Sequence, residues 1–160
     1  MINGILKILE NDARTTPQKI ATMTGKPAAE VSKAIKKAEK DGTILKYKTI
    51  VNWEKLGEEQ VWALIEVKVT PQKDVGFDAI AERIYRSPQA RTVYLVSGTY
   101  DLLVLISGKT EHEIADFVSE NLAPIEGVQG TVTHFMLKRY KEDGEILEGE
   151  EEVKRQPVIL

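Results

Sequence analysis

The sequence predicts an α+β fold in two parts: three short helices with helix-turn-helix spacing, then a βαββαβ unit. Three observations lead there. Apolar residues recur at helical spacing as far as Lys40, and from Val61 onward strand and helix spacings alternate. Gly25, Pro27 and Gly98 stand where those patterns need turns. Charge divides along the same line: residues 1–57 carry 11 Lys and Arg against 6 Asp and Glu, and residues 58–160 carry 11 against 19. The net charge of −3 thus hides a +5 head on a −8 body, the asymmetry of a module that approaches phosphates tethered to a body with another task. The expected division is a head with its wing and linker over 1–57, a body over 58–141, and an acidic tail over 142–160.

In the head, Ile2, Ile5, Leu6 and Leu9 share one helical face, and Asn11-Asp12 stops the helix. Thr16 before Pro17 is an N-cap followed by proline at the first helical position, where the missing N–H costs nothing. Ile20, Ala21 and Met23 give this second helix its apolar side, and Gly25 ends it. Lys26-Pro27 starts a third helix, with Val31, Ala34, Ile35 and Ala38 on one stripe and Ala29, Lys33, Lys36, Lys37 and Lys40 opposite. Two short helices around a glycine turn, the second one cationic, match the helix-turn-helix that lays its second helix in the major groove of DNA. Small Ala28, Ala29 and Ser32 near its start let the backbone approach base edges. The alternative, a solvated lysine face on a three-helix bundle, is left open by periodicity alone. Asp41-Gly42 closes the helix, and residues 44–51, with Lys46 and Lys48 alternating against Leu45, Tyr47 and Thr49, are expected as a strand or wing. Those two lysines, with Lys26, extend the positive surface.

In the body, Leu56 to Glu59 reads as a linker. Val61, Ala63, Ile65, Val67 and Val69 then alternate strictly, with Trp62 and Leu64 on the other face, and Pro71 ends the strand. Phe77, Ile80, Ala81, Ile84 and Tyr85 recur at helical spacing until Ser87-Pro88, and residues 92–97 read as strand. Gly98-Thr99-Tyr100-Asp101 is a turn into the apolar run 102–106. Thr110 caps a helix with Glu113 in capping-box position and Ile114, Ala115, Phe117, Val118 and Leu122 as its apolar side, and residues 128–140 read as a long last strand.

This order is the split βαβ pattern of ferredoxin-like folds, in which helices cover one face of a four-stranded antiparallel sheet. A lone sheet of this kind keeps its other face polar, yet Trp62, Leu64, Leu103 and Leu105 all fall there. The cheapest cover is the same face of a second copy, a two-fold homodimer. A greasy edge on a monomer is the alternative.

Composition excludes several functions. No stretch approaches the roughly 18 apolar residues of a membrane span, and residues 1–5 carry no charged leader pattern, so a soluble cytoplasmic protein with no membrane partner is expected. The absence of Cys removes disulfides, thiolate metal sites and cysteine nucleophiles, and His112 and His134 are the sole imidazoles. Glu111-His112-Glu113 reads as the first turn of a helix. No nucleophile–base pairing, phosphate loop or metal-ligand run is present, so no enzyme, metal or cofactor is expected.

The chain resembles the Lrp/AsnC family, the leucine-responsive and asparagine-synthesis (feast/famine) regulators of bacteria and archaea, over about residues 3–141. In the head the resemblance rests on Ile5-Leu6-Lys7-Ile8-Leu9, residues 11–14, and Val31, Ile35, Glu39, Gly42 and Ile44. In the body it rests on Ser97-Gly98-Thr99-Tyr100-Asp101 and on Gly127-Val128-Gln129-Gly130-Thr131-Val132-Thr133. It implies a winged helix-turn-helix that binds double-stranded operator DNA, joined to an αβ-sandwich (RAM) domain that dimerises and often assembles into octamers or other multimers. It also implies an amino acid or related metabolite as effector, bound where dimers meet near the Gly-x-Tyr-Asp turn. Three positions depart from the family: Pro27 stands where Ser usually caps the recognition helix, Ala34 where Arg is usual, and Ala38 where Leu is usual.

On this basis the expected function is a sequence-specific transcription regulator modulated by an amino acid. A ligand-binding or oligomerising module without specific DNA binding is the alternative. The DNA-binding candidates are Lys26, Ala28, Ala29, Ser32, Lys33, Lys36, Lys37, Lys40, Lys46 and Lys48, read against an imperfectly palindromic operator. The recognition helix holds no Arg, so bidentate guanine contacts are unavailable to it and DNA shape carries more of the specificity. The effector candidates are Gly98 and Thr99 at a close backbone approach, Tyr100 as a wall, Asp101 as acceptor for an α-ammonium group, and the Thr131 and Thr133 hydroxyls. A plain hairpin turn with Asp101 bonded to local amides is the other reading. Seven of the eleven residues in 142–152 are acidic and read as a solvated tail, with Val158-Ile159-Leu160 docking on a neighbour as the alternative.

Overall fold

Two hydrophobic cores form, one on each side of a junction between Val51 and Asn52. The structure is a computed structural model and describes residues 2–58, 60–70 and 76–147. Pro71, most of the acidic tail and Val158-Ile159-Leu160 lie outside the described residues.

The head consists of α1 (Ile2–Asn11), α2 (Pro17–Thr24) and α3 (Ala28–Lys40). Ile5 and Leu9 of α1, Ile20 of α2 and Val31 and Ile35 of α3 bury one another, each full burial contributing roughly 1.5–3 kcal/mol. Met23, expected on the apolar side of α2, is exposed, because so short a helix turns only Ile20 fully inward. No strand forms over residues 44–51. The alternation there is real, but a strand needs a ladder partner and none is present among the described residues. Leu45 is left 91% exposed.

The body begins with a short 3₁₀ turn (Trp53–Leu56), followed by β1 (Val61–Val69), α4 (Gly76–Tyr85), β2 (Ala90–Leu95), β3 (Leu102–Gly108), α5 (Glu111–Phe117) and β4 (Val128–Phe135). The sheet order is β2-β3-β1-β4, antiparallel throughout, with Ile65 opposite Val104 on one side and Thr133 on the other. Ala63, Ile65, Val67 and Val69 of β1 and Leu102, Val104 and Ile106 of β3 pack under Ile80 and Ile84 of α4 and Ile114 and Phe117 of α5. Tyr85 faces solvent, since α4 ends there and Ile84 already occupies the inward position. At the start of α5 the Thr110 hydroxyl accepts from the Glu113 N–H at 3.2 Å, while the Glu113 carboxylate accepts from the Lys109 N–H at 2.7 Å.

The body departs from the expected elements at two further places. Past Phe117 the helix widens into a π turn, Val118–Leu122. The last strand stops at Phe135 rather than running on to residue 140: β1 begins at Val61, so beyond the Met136 N–H to Trp62 carbonyl bond β4 has no neighbour left. A small hairpin follows, β5 (Lys141–Glu142) and β6 (Glu145–Ile146), turned by Asp143 and Gly144 with φ of 44° and 93°. It uses the first acids of the tail, and Leu147 beyond it is buried, its carbonyl accepting from Asn52 Nδ2 at 2.6 Å.

Candidate functional site

Local rules position the cationic helix. The Thr16 hydroxyl accepts from the Lys19 N–H at 3.3 Å to start α2. Gly25 ends it with φ of 65°, a conformation that Gly alone takes without strain, and its N–H donates to the Ala21 carbonyl. Pro27 sets an extended backbone before α3 but leaves the first turn without a side-chain cap. With Val31, Ile35 and Ala38 turned inward, Ala29, Lys33, Lys36, Lys37 and Lys40 form one exposed stripe, and Lys26, Ala28 and Ser32 flank its start half-buried. Lys46 and Lys48 are exposed on the irregular segment after the helix. Sequence reasoning missed what holds that segment: the Tyr47 hydroxyl donates to Glu39 at 2.9 Å, and the Ile44 N–H donates to the Ala38 carbonyl. Tyr-to-Glu spacing across a turn carries no periodic signal.

In the body, the sheet face opposite the helices carries Trp62, Leu64, Leu103 and Leu105, all partly exposed. Leu64 lies opposite Leu105 and His134, and Glu66 opposite Leu103 and Val132. The four residues expected at a dimer interface therefore form one patch. His134 Nε2 stands 3.6 Å from the Glu66 carboxylate on it. At its edge the Arg139 guanidinium lies 4.7 Å over the Trp62 ring and pairs with Glu142 at 3.2 Å, and the buried Trp62 Nε1 has no hydrogen-bond partner among the described residues. An orphaned N–H of this kind costs about 1–3 kcal/mol.

The turn over residues 97–101 is held from within. The Val96 N–H donates to the Asp101 carbonyl and the Asp101 N–H to the Val67 carbonyl. Asp101 Oδ2 accepts from the Val69 N–H at 2.8 Å and pairs with Lys68 Nζ at 3.1 Å. The carboxylate thus fastens the turn to β1, to an amide distant in sequence. Ser97, Gly98 and Thr99 are exposed and Tyr100 is half-buried. A methyl group added at Gly98 meets nothing, and its φ is outside the left-handed region, so the fold of one chain does not require glycine there. Thr131 and Thr133 pair with Val67 and Ile65, which puts their hydroxyls on the helix-covered face, on the other side of β1 from the turn. Among the described residues no group of three or more His, Asp or Glu is placed to hold a metal.

The Val69 N–H, followed by Lys68, holds the Asp101 carboxyl below the usual carboxylate value. A lowered native pKa means stability that is present above the unfolded value of about 3.9 and lost as pH falls through the native one. Asp101→Asn is accordingly expected to lower the urea midpoint at neutral pH, and the difference from wild type should shrink as pH falls below about 3.9 and through the native value. A pH-independent difference would show that the ion pair and amide bond do not stabilise the turn.

Residues 3–44 match the winged helix-turn-helix DNA-binding family, and residues 62–146 match the Lrp/AsnC ligand binding domain. The uncharacterized HTH-type transcriptional regulator YugG of Bacillus subtilis is 46% identical over 152 residues, covering 94% of this chain and 92% of that protein. The HTH-type transcriptional regulator FL11 of Pyrococcus furiosus is 32% identical over 142 residues, covering 89% and 91%. Among solved structures, the transcriptional regulator NMB0573 of Neisseria meningitidis in complex with L-Met superposes with a TM-score of 0.69 at 21% identity, covering 88% of this chain and 90% of that one. At that identity the likeness concerns the fold.

Proposed function

From the premise that this chain belongs to the Lrp/AsnC family of helix-turn-helix transcriptional regulators, we propose how its two units divide the work. It is a DNA-binding regulator with a ligand-binding domain and not an enzyme. Two copies associate through the Trp62, Leu64, Leu103 and Leu105 face and carry two heads to successive major grooves of a pseudo-palindromic operator, about 34–36 Å or a multiple apart. Lys33, Lys36, Lys37 and Lys40 meet phosphates and groove edges, Ala28, Ala29 and Ser32 allow close approach, and Lys26, Lys46 and Lys48 add backbone contacts. An amino acid is the effector, in keeping with the L-Met bound by the Neisseria protein. It sits against the exposed Ser97-Gly98-Thr99 backbone and Tyr100. Since Asp101 is already engaged, it positions that backbone, and Thr131 and Thr133 act through the β1 end they flank. The effector works by favouring one assembly state over another, because equal affinity for both shifts nothing.

The observation that carries the DNA reading is the single exposed lysine stripe on a helix whose opposite face is fully committed to the head core. Engagement of about six to eight phosphates per dimer gives a log K against log salt slope of about −5 to −7. Lys36→Ala is expected to reduce that magnitude by about one unit per altered contact, read by filter binding across a salt series. A flat salt response removes the lysine stripe as the DNA contact.

A further inference from the structure

On the helix-covered side of the body, α4 and the π turn Val118–Leu122 border an open cleft of about 410 Å³, a size typical of small-ligand sites. Its floor is apolar: Ile84 and Phe117 are almost fully buried, and Pro124 and Ile125 stand beside them. Its walls are charged with opposite signs, Arg83 on α4 and Glu120 on the π turn. The two do not pair with each other, and neither side chain makes a hydrogen bond or ion pair among the described residues. Arg86, also lining the cleft from beyond the end of α4, shows what a guanidinium does here when a carboxylate is in reach: its Nε and Nη2 both donate to Glu82. π turns are rare and recur at functional sites, and this one supplies the acidic wall.

We infer that this cleft binds a small ampholyte whose carboxylate and ammonium stand at opposite ends of an apolar chain. The carboxylate meets Arg83 in a charge-assisted, fork-type contact, the ammonium meets Glu120, and the methylenes cover Ile84, Phe117, Pro124 and Ile125. The apolar floor between the two charged walls calls for methylenes between the two charges, which an α-amino acid, with both charges on one carbon, does not place there. No residue of the turn over 97–101 lines this cleft, so the site is separate from the effector site proposed above.

The test uses the full chain labelled at isoleucine δ1 methyls, with ε-aminocaproate as the probe. The Ile84 and Ile125 methyl resonances are expected to shift with a millimolar or tighter Kd. Arg83→Ala and Glu120→Gln are each expected to weaken binding about tenfold, as is replacing the probe by caproate or hexylamine. L-leucine is expected to leave these two methyls in place, and Gly98→Ala to leave the probe's Kd unchanged. Both wall residues are exposed, so their variants should keep the wild-type melting curve, which confirms that they fold. The inference is overturned if neither methyl moves up to about 50 mM probe, if caproate or hexylamine binds as well as the ampholyte, or if the wall variants bind normally. Leucine shifts confined to residues near the turn speak to the effector reading alone.

Discussion

Leu105→Asp is expected to give a folded monomer that binds a two-half-site operator about 10²–10⁴-fold more weakly than wild type, because linking two heads is what makes the second contact intramolecular. Leu105 lies on the face away from the helices, between buried Val104 and Ile106, which hold the core, so the substitution spares the fold. A carboxylate there has Leu64 and Thr92 as its cross-strand neighbours and resists being covered by a second apolar sheet. Sedimentation at micromolar concentration and a gel shift on the same preparation check it. A variant that stays dimeric and binds DNA at full strength shows that the open face is not the interface.

Gly127→Ala is expected to cost about 2–4 kcal/mol, combining left-handed strain with crowding. For a chain of this size that lowers Tm by roughly 5–15 °C. Gly127 has φ of 95°, and an added methyl carbon would stand 2.8 Å from Ile80 Cδ1 and 3.1 Å from the Thr70 carbonyl oxygen. The Ile80 tip can turn aside, but the Thr70 carbonyl cannot, since the Thr70 N–H donates to the Gly127 carbonyl at 2.8 Å and holds the two strands together. Gly98→Ala is the matched control: it meets nothing, and its melting curve should overlay the wild type while the amino-acid response is altered. Equal melting of all three proteins would show that the Gly127 backbone relaxes freely.

These two glycines show why part of the site was legible in advance and part was not. Both belong to motifs that carry the family resemblance, and in the sequence they look alike. One is demanded by its own fold. The other meets no obstacle within a single chain, so any demand on it comes from a ligand or a second copy. Asp101 illustrates the same divide: its place in a turn was readable, but its partner is the Val69 amide on a strand 32 residues away, a pairing that only β1–β3 register brings about. The Arg83–Glu120 cleft had no sequence signal at all, because α4 and the π turn meet only after the sheet has formed.

The sequence by itself determined the elements whose causes are local and periodic. These are the three head helices with their Thr16, Pro17 and Gly25 punctuation, the lysine stripe at i, i+3, i+4 and i+7, the strict alternation of β1, and the Thr110 cap. Only the tertiary structure decided where strands stop, which polar groups are already taken, and what remains uncovered. Residues 44–51 alternate as well as many strands do yet pair with nothing, and β4 ends where β1 offers no further edge. The reason is physical: a helix satisfies its backbone within its own segment, whereas a strand, an ion pair across elements or a cleft exists only through partners that the rest of the chain must deliver.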